Sequence, residues 1–524
     1  MNEEGGYLKR PFAVIGAVFL LVSWFLSTFG ISLFAAVLPL VFIVSALLVI
    51  FRFRKRFIVF LLIFITALSA FLCFLGFERD YKDASSLSGK DRSITATVLE
   101  TPLMQEKAYL VRINSIDGVK TSVKARLSLD KSESDEAGLY DTISCRANLF
   151  DYSDNKDIEK SFKSEGIYLS GFALKNTLKA EKNDSPPLMY YIMRLKYSIC
   201  NGIYSILPND FGGFIIAVVL GEKAFVSDTV IENFKICGIS HLMAVSGLHT
   251  YIWSGFLVKF LSLFMSRRKS SVFAIVFLVF FMMLTGFTPS VVRAGIMMIC
   301  LYSGNIFRRR PDSLNSLGLS LFVILLINPF AAVNIGLLLS YSAALGLVIL
   351  SPGINRVTLK VRNRIDVRYV STFAGYIVSI ILVSLTATLF TLPVSVFYLG
   401  RVSLLSVVSN ILAVDLGMFI MIFGGISIIF YPFLVTRFIT YPFLFVAGIM
   451  SKLLLNAVSF LSQFDFLYID ISSVYFKVFI AGGLLSLLMI YIFKPALLKN
   501  RMIVIPATVL PGLILSMISV AVNY

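Results

Sequence analysis

Long apolar runs separated by short charged loops dominate the pattern of this chain. Runs near residues 12–28, 31–50 and 57–76 each approach the roughly 20 residues that a helix needs to cross a bilayer. Ten further runs lie near residues 250–266, 271–287, 290–306, 314–328, 333–350, 371–393, 403–430, 433–461, 475–493 and 502–522. The pattern predicts a polytopic α-helical membrane protein, with three helices in residues 1–77 and about ten spans in residues 211–524.

The segment 211–249 is apolar as well, but it contains no uninterrupted span. Glycines and charged residues break it at Gly212-Gly213, Gly221-Glu222-Lys223, Asp228, Glu232 and Gly238. Irregular backbone at membrane depth is tolerated only where it packs inside protein or lines a cavity. We therefore predict broken or re-entrant helices in this segment.

Residues 78–186 form a long polar stretch in which apolar positions recur with a period of two. Alternation over 109–113, 123–129 and 143–149, together with 94–98 and 167–172, predicts about five short strands. Turn signals such as Asp117-Gly118 separate these strands. The pattern predicts a small antiparallel β-barrel or sandwich.

After this β-domain, residues 187–210 mix apolar and polar side chains. Apolar and aromatic side chains between Leu188 and Leu207 are interspersed with Arg194, Lys196 and Asn201. This mixture is typical of an amphipathic helix that lies on the outer surface of a membrane.

Charged loops predict which side of the membrane each segment faces. The loop Arg52-Phe-Arg-Lys-Arg56 places four positive charges in five residues, and such loops remain in the cytoplasm. The N-terminus is then cytoplasmic, and residues 78–186 are extracytoplasmic. Basic loops at 267–269, 308–310, 356–368 and 494–501 fit the cytoplasmic side, which leaves the C-terminus outside.

Composition supports the membrane class and limits what the net charge means. The mean hydropathy is +0.86, and 57% apolar against 15% charged residues exclude an ordinary soluble protein. The formal net charge is +17, yet residues 78–186 carry 17 Lys and Arg against 19 Asp and Glu. The positive excess therefore lies mostly in loops between apolar runs, where the positive-inside rule explains it without nucleic acid.

Metal-binding chemistry is sparse in the sequence. The five cysteines are scattered without a Cys-x-x-Cys pair, and the chain has two histidines. A two-metal nuclease site needs several histidines and carboxylates. We predict no metal site, no cofactor and no enzymatic activity for this chain.

The two histidines lie in the string Gly238-Ile-Ser-His241-Leu-Met-Ala-Val-Ser246-Gly247-Leu-His249. Polar groups in so apolar a sequence are costly and mark a candidate functional site. The alternative is a pair of helix-end histidines that bond carbonyl groups. Ser246-Gly247 predicts a helix break with close backbone approach, and we expect neutral imidazoles at a pore entrance.

This string resembles the signature of the ComEC family of bacterial competence proteins. Three further segments match in order: Pro289-Ser290-Val-Val-Arg293-Ala294, Asn328-Pro329 with Gly336 and Ser340, and Leu392-Pro393 with Asn410 and Ala413. The resemblance covers about residues 210–415 and continues more weakly into residues 80–180. It implies an OB-fold for residues 78–186 and a location in the bacterial cytoplasmic membrane.

The resemblance further implies a channel that moves single-stranded DNA into the cytoplasm during natural transformation. The expected lining residues are His241, Ser246, Gly247, His249, Ser290, Arg293, Asn328, Pro329, Gly336, Ser340, Asn410 and Asp415. Besides DNA and the lipid bilayer, the implied partners are a separate nuclease, a DNA receptor and an ATP-driven helicase, while a homodimer is left open. Many family members end in a metallo-β-lactamase-like domain, whose ligands this chain lacks, so we expect no nuclease in cis.

Several roles stay open at this point. Arg293 either offers a forked guanidinium to passing phosphates or extends toward lipid headgroups. Asp415 either relays protons, pairs with Arg293 or is a buried protonated carboxyl. The β-domain either binds single strands through aromatic and basic groups, which are few in its strands, or serves as a lid or stabilising module.

Two other functions compete with the DNA channel. One is a transporter of a small anionic or amphiphilic solute, with Asp415 as its proton-coupling group. The other is an intramembrane hydrolase built on His241, Ser246 and His249. We disfavour the hydrolase because no acid lies beside the histidines and no elbow motif surrounds Ser246.

Overall fold

A computed structural model of the chain describes residues 10–31, 56–102, 108–129, 137–152, 155–433, 437–464 and 468–471. The chain divides into two units. Unit 1 comprises the chain up to Ile203 and Val245–Leu337. Unit 2 comprises Tyr204–Ala244 and the chain from Leu338 onward.

Helices form most of the described chain. In order, the α-helices are Pro11–Phe29, Arg56–Ser86, Lys156–Glu165, Leu188–Ile206, Asp210–Leu220, Asp228–Ile236, Gly247–Leu261, Arg267–Leu284, Pro289–Phe307, Ser313–Ile327, Ile335–Arg362, Arg368–Val394, Ser406–Phe430 and Arg437–Leu461. Between these helices lie short 3-10 turns at Ser240–Met243 and Pro329–Val333 and a π-helical turn at Ser395–Leu399.

Seven helices in the described ranges are long and apolar enough to cross a membrane. They are Pro11–Phe29, Leu61–Ser86, Pro289–Phe307, Ile335–Arg362, Arg368–Leu399, Ser406–Phe430 and Arg437–Leu461. They confirm the predicted runs near residues 12–28, 57–76, 290–306, 333–350, 371–393, 403–430 and 433–461. The chain is a multi-pass helical membrane protein.

Other predicted spans are helical but shorter or more polar at one end. Gly247–Leu261 and Ser313–Ile327 have 15 residues each, which extend over roughly 22 Å, less than the roughly 30 Å of hydrocarbon. Arg267–Leu284 begins with three basic residues. The predicted runs at 475–493 and 502–522, and all of 31–50 except Ile31, lie outside the described residues.

In unit 1, small residues let two helices approach closely. A methyl group on Gly16 would overlap the backbone of Gly318, and a methyl group on Gly318 would overlap the backbone of Phe12. Next to this contact, the rings of Phe19 and Phe322 meet edge to face at 5.5 Å. Such small-residue contacts are a common way for helices to pack in membranes.

The predicted β-domain is present in unit 1 as a six-stranded sheet. Its strands are β1 (Gly89–Glu100), β2 (Ala108–Ile116), β3 (Val119–Ser128), β4 (Thr142–Phe150), β5 (Ile167–Ala173) and β6 (Lys179–Glu181). The order is β1-β2-β3-β5-β4-β6, and β1 also pairs with β4. Alternating buried positions such as Ile94, Val111 and Leu127 supply the core, as the period of two predicts.

The sheet differs in detail from the small antiparallel barrel or sandwich of about five strands that the sequence predicts. It has a sixth strand, β6, and β3 pairs with β5 in parallel. A parallel pair needs a long connection, and the helix Lys156–Glu165 lies in that connection. A closed OB-like barrel stays a prediction.

The helix Leu188–Ile206 has the predicted amphipathic pattern, but its apolar face is buried within the protein. Ile192, Met193, Ile199 and Ile203 are among the buried residues of this helix. The opposite face, which includes Arg194, is exposed. Its interfacial position stays a prediction.

The segment 211–249 contains short helices, as its interruptions predict. Asp210–Leu220 has 11 residues, which extend over roughly 16 Å. It ends at Gly221, whose φ of 77° is readily adopted by glycine. The helix Asp228–Ile236 and the turn Ser240–Met243 follow. The depth of these elements in a bilayer stays a prediction.

Candidate functional site

The string Gly238–His249 is divided between the two units, after Ala244. Its second half forms a helix start in unit 1. Ser246 is the N-cap of Gly247–Leu261, and its hydroxyl accepts a hydrogen bond from Leu248 N at 3.3 Å. The Nδ1 atom of His249 accepts from Ser246 N at 3.0 Å.

This arrangement is a capping box in which histidine takes the place usually held by Glu or Gln. Nδ1 carries a lone pair in this bond, so the imidazole proton lies on Nε2 and the ring is neutral. His249 is 4% exposed. The prediction of a neutral imidazole agrees with this geometry, and the ring helps to hold the helix start in place.

Arg293 lies against this helix start. It is in the second turn of Pro289–Phe307, and a Cβ atom on Gly247 would lie 2.6 Å from its Nη2. A side chain at residue 247 would therefore displace the tip of the guanidinium from this position. Val245 and Val291, which precede Ser246 and Arg293 in their segments, belong to one core cluster of buried residues.

Four of the predicted site residues thus form one cluster in unit 1: Ser246, Gly247, His249 and Arg293. Ser290 is half-buried in the first turn of the helix that carries Arg293. We name the cluster of Ser246, Gly247, His249 and Arg293 the capped break. It combines a neutral imidazole, a glycine without a side chain and a guanidinium.

Asn328 and Pro329 belong to a different cluster of unit 1. Asn328 Nδ2 donates to Lys163 O at 3.1 Å and to Ser164 O at 3.0 Å, which are carbonyls at the end of the helix Lys156–Glu165. Its Oδ1 accepts from Phe330 N at 3.0 Å. Pro329 is buried in the following turn. Asn328 therefore joins the β-domain to the membrane helices.

Asn334 strengthens the same joint. Its Nδ2 donates to Ser164 Oγ at 3.1 Å, and its Oδ1 accepts from Leu337 N at 3.0 Å. Gly336 is exposed. It lies close to Asn334, because a Cβ atom on Gly336 would be 3.3 Å from Asn334 Oδ1. The predicted place of these residues on a DNA path stays a prediction.

Lys163, which the sequence did not indicate as a functional residue, lies at the centre of this joint. It is 9% exposed, and its Nζ lies 2.9 Å from Glu159 Oε1 and 3.4 Å from Glu78 Oε2. The same ammonium lies 3.4 Å from the centre of the Tyr81 ring. The i, i+4 spacing of Glu159 and Lys163 was the one local signal; the contacts with Glu78 and Tyr81 had none. We call this group, together with Asn328, the docking joint.

In unit 2, the first half of the signature packs against the region before Ser406–Phe430. Gly238 has a φ of 69°, and a Cβ atom there would lie 2.9 Å from Ser403 Cβ and 2.8 Å from Ser406 Cβ. Ser403 Oγ donates to Ile236 O at 2.5 Å. His241 is exposed on the turn Ser240–Met243.

Two further predicted residues of unit 2 bond to the helix Arg368–Val394. Asn410 Nδ2 donates to Ser384 Oγ at 2.8 Å, and Tyr376 Oη donates to Asp415 Oδ1. Asp415 is half-buried. Ser340 is half-buried in Ile335–Arg362. Tyr376 and Ser384 carry no motif and could not be found from the sequence.

No group of three or more His, Cys, Asp or Glu residues that could hold a metal ion occurs within the described ranges.

Comparison with known proteins identifies the family. The model of the family described as Competence protein matches residues 218–496, more than half of the chain. ComE operon protein 3 of Bacillus subtilis (strain 168) is 29% identical over 267 residues, which cover 50% of this chain. The match spans about a third (32%) of that relative's length. No solved structure matches the chain. The chain belongs to the competence protein family and is of the ComEC type.

Proposed function

We propose that this chain forms a membrane channel through which single-stranded DNA passes into the cytoplasm during natural transformation. The observation that carries the proposal is the capped break, in which Arg293 lies against Gly247. This contact falls inside the matched family region, residues 218–496.

The chemistry of the capped break suits a passing phosphodiester chain. A guanidinium offers two parallel N–H groups to phosphate oxygens. Gly247 lets the guanidinium come up to the backbone where the helix begins, and the helix N-terminus favours an anion. Phosphate contacts position a strand without reading its bases. Such a site would pass DNA of any sequence.

The remaining parts of the proposal concern the membrane topology, the β-domain and the partner proteins. The basic loops favour a cytoplasmic N-terminus and an extracytoplasmic β-domain, as in the positive-inside rule, and the pairing of β1 with both β2 and β4 supports an OB-like module there. A DNA receptor would deliver the strand, a separate nuclease would remove its complement, and an ATP-driven helicase would act inside. This chain would have no nuclease activity of its own.

Substitution of Arg293 tests the proposal. In a transformable host, Arg293→Ala should abolish delivery of labelled DNA into the cytoplasm while uptake to the cell surface and the amount of protein in the membrane stay normal. Arg293→Lys should restore function only partly, because it keeps the charge but loses the fork. Arg309→Ala, which removes an exposed arginine just after the same helix, is the matched control.

Glycine substitutions test the same contact without removing a charge. Gly247→Ala places a methyl group 2.6 Å from Arg293 Nη2, whereas Gly255→Ala, in the same helix, meets nothing within 4 Å. We expect a transformation defect for the first substitution and none for the second. Normal transformation with Arg293→Ala at normal abundance would refute the channel proposal and turn attention to small-solute transport.

A further inference from the structure

A cleft of about 560 Å³ lies beside the β-domain in unit 1, outside the capped break and the docking joint. Its walls come from the loop before β4, from the segment after β6 and from the first turns of Leu188–Ile206. The residues that give it chemical character are Asp141, Lys182, Asn183, Tyr190, Arg194 and Tyr197. Its volume falls within the roughly 300–1,000 Å³ of small-molecule sites.

Aromatic rings cluster at this cleft. The ring of Tyr190 meets that of Tyr140 edge to face at 6.4 Å and that of Tyr191 at 5.2 Å. The guanidinium carbon of Arg194 lies 6.0 Å from the centre of the Tyr190 ring, and Arg194 Nη1 donates to Tyr190 Oη at 3.5 Å. Burial raises the pKa of Tyr140 above that of an ordinary tyrosine, whose phenol is already protonated at neutral pH.

The charge of the cleft is positive, unlike that of the surrounding domain. Two cations, Lys182 and Arg194, and one carboxylate, Asp141, line the cleft. Asp141 Oδ2 accepts a hydrogen bond from Gly138 N at 3.0 Å. Residues 78–186 as a whole carry more Asp and Glu than Lys and Arg. The β-domain thus has little general attraction for anions, and this cleft is a local exception.

We propose that the cleft holds one nucleotide of single-stranded DNA on the outer side of the membrane before the strand passes into the channel. A base stacks on tyrosine, while Lys182 and Arg194 bind the flanking phosphates. Proteins that hold single strands without sequence preference combine such aromatic platforms with basic side chains. This assignment rests on the proposed function, because it names where the same substrate first binds.

The surface around the cleft favours a nucleotide over an anionic lipid surface. A lipid headgroup supplies a phosphate but no planar base for Tyr190. Beyond Arg194, the exposed face of Leu188–Ile206 continues through Ser198, Asn201 and Ser205, whereas a membrane-bound helix presents apolar residues to the acyl chains. The large apolar residues that this helix exposes are Leu188 and Tyr191, both in its first turn.

The test measures binding of a fluorescent oligo-dT and of an abasic oligomer of equal length to the full chain in detergent. Tyr190→Ala should weaken oligo-dT binding roughly 5- to 150-fold and leave abasic binding unchanged, while Tyr190→Phe should bind normally. Arg194→Ala should weaken binding to both oligomers and reduce the slope of log affinity against log salt concentration by about 0.7, the loss of one phosphate contact.

Lys120→Ala is the matched charge control, since Lys120 is exposed on the β-domain and does not line the cleft. Equal oligo-dT affinity for wild-type, Tyr190→Ala and Arg194→Ala proteins would overturn the assignment. So would variants that lose only binding to vesicles of anionic phospholipid, which would assign the cleft to a lipid surface. If these variants bind DNA normally while Arg293→Ala still blocks transformation, the cleft assignment fails and the channel proposal stands.

Discussion

Replacing Lys163 with methionine tests whether the docking joint holds the β-domain in place. Methionine keeps most of the apolar stem of lysine but removes the ammonium that lies between Glu159 and Glu78. Two carboxylates would then face each other without a cation. The substitution therefore changes the electrostatics of the joint more than its packing.

The structure sets the size of the expected effect. Removing one partner of a buried ion pair costs about 3–5 kcal/mol, and Lys163 is buried at 9% exposure. The side chains of Glu78 and Glu159 are 19% and 21% exposed, so water can partly solvate them. We expect a loss near the lower limit, about 3 kcal/mol.

Hydrogen exchange of the full chain in detergent measures this loss. Each 1.4 kcal/mol is a factor of ten, so amides of the helix Lys156–Glu165 that exchange by local opening should exchange roughly 100-fold faster. Lys156→Met is the control, because Lys156 is exposed at the start of the same helix. It should change exchange by less than about fivefold, which corresponds to the roughly 1 kcal/mol upper limit for an exposed charge.

A second variant separates charge from packing. Adding Glu78→Gln and Glu159→Gln to Lys163→Met removes the stranded carboxylates. Replacing a whole buried ion group by well-packed apolar residues is often neutral in energy, and water can partly solvate the two amides because positions 78 and 159 are about a fifth exposed. Exchange should then return most of the way toward the wild-type rate. Lys163→Met with wild-type exchange, or a triple variant as unstable as the single one, would refute the account of the joint.

Three further predictions concern the joint, the topology and the chemistry. Asn328→Ala should weaken docking by about 2 kcal/mol, since it removes two hydrogen bonds of about 1 kcal/mol each, and limited proteolysis of the β-domain should become faster. In a cysteine-free background, an impermeant maleimide should label Ser132→Cys but not Arg54→Cys from outside intact cells; the reverse pattern would invert the topology. The purified chain should not degrade single-stranded DNA with Mg²⁺ or Mn²⁺, and degradation that a chelator stops would contradict this.

Local patterns were enough to predict the seven membrane-crossing helices and five of the six strands of the β-domain, but not the helix Lys156–Glu165 or the strand β6. Crossing a membrane requires about 20 consecutive apolar residues, which is a property of one segment alone, so runs such as 290–306 and 403–430 correspond to helices in the structure. The period of two along 109–113 and 143–149 likewise predicts strands, because side chains alternate across a sheet. The family could be inferred for the same reason, since its motifs are short and ordered along the chain.

Contacts between distant residues depended on the tertiary structure. The pairing of Asn328 with the carbonyls of Lys163 and Ser164 joins residues about 165 positions apart, and no periodicity indicates it. The parallel pairing of β3 with β5 also differs from the antiparallel pattern expected for successive short strands. Hydrogen bonds and ion pairs form between whichever groups folding brings together, and sequence spacing limits this only within one helix or hairpin.

The candidate site divides in the same way. The helix break at Ser246-Gly247, just before His249, could be predicted from the sequence, because N-cap residues and glycine act locally. Only the tertiary structure determined that Arg293 lies against Gly247 and that Tyr190 and Arg194 line a cleft with Lys182. Each of these groups is an ordinary residue in its own segment. Its chemistry depends on neighbours that only packing brings within a few ångströms.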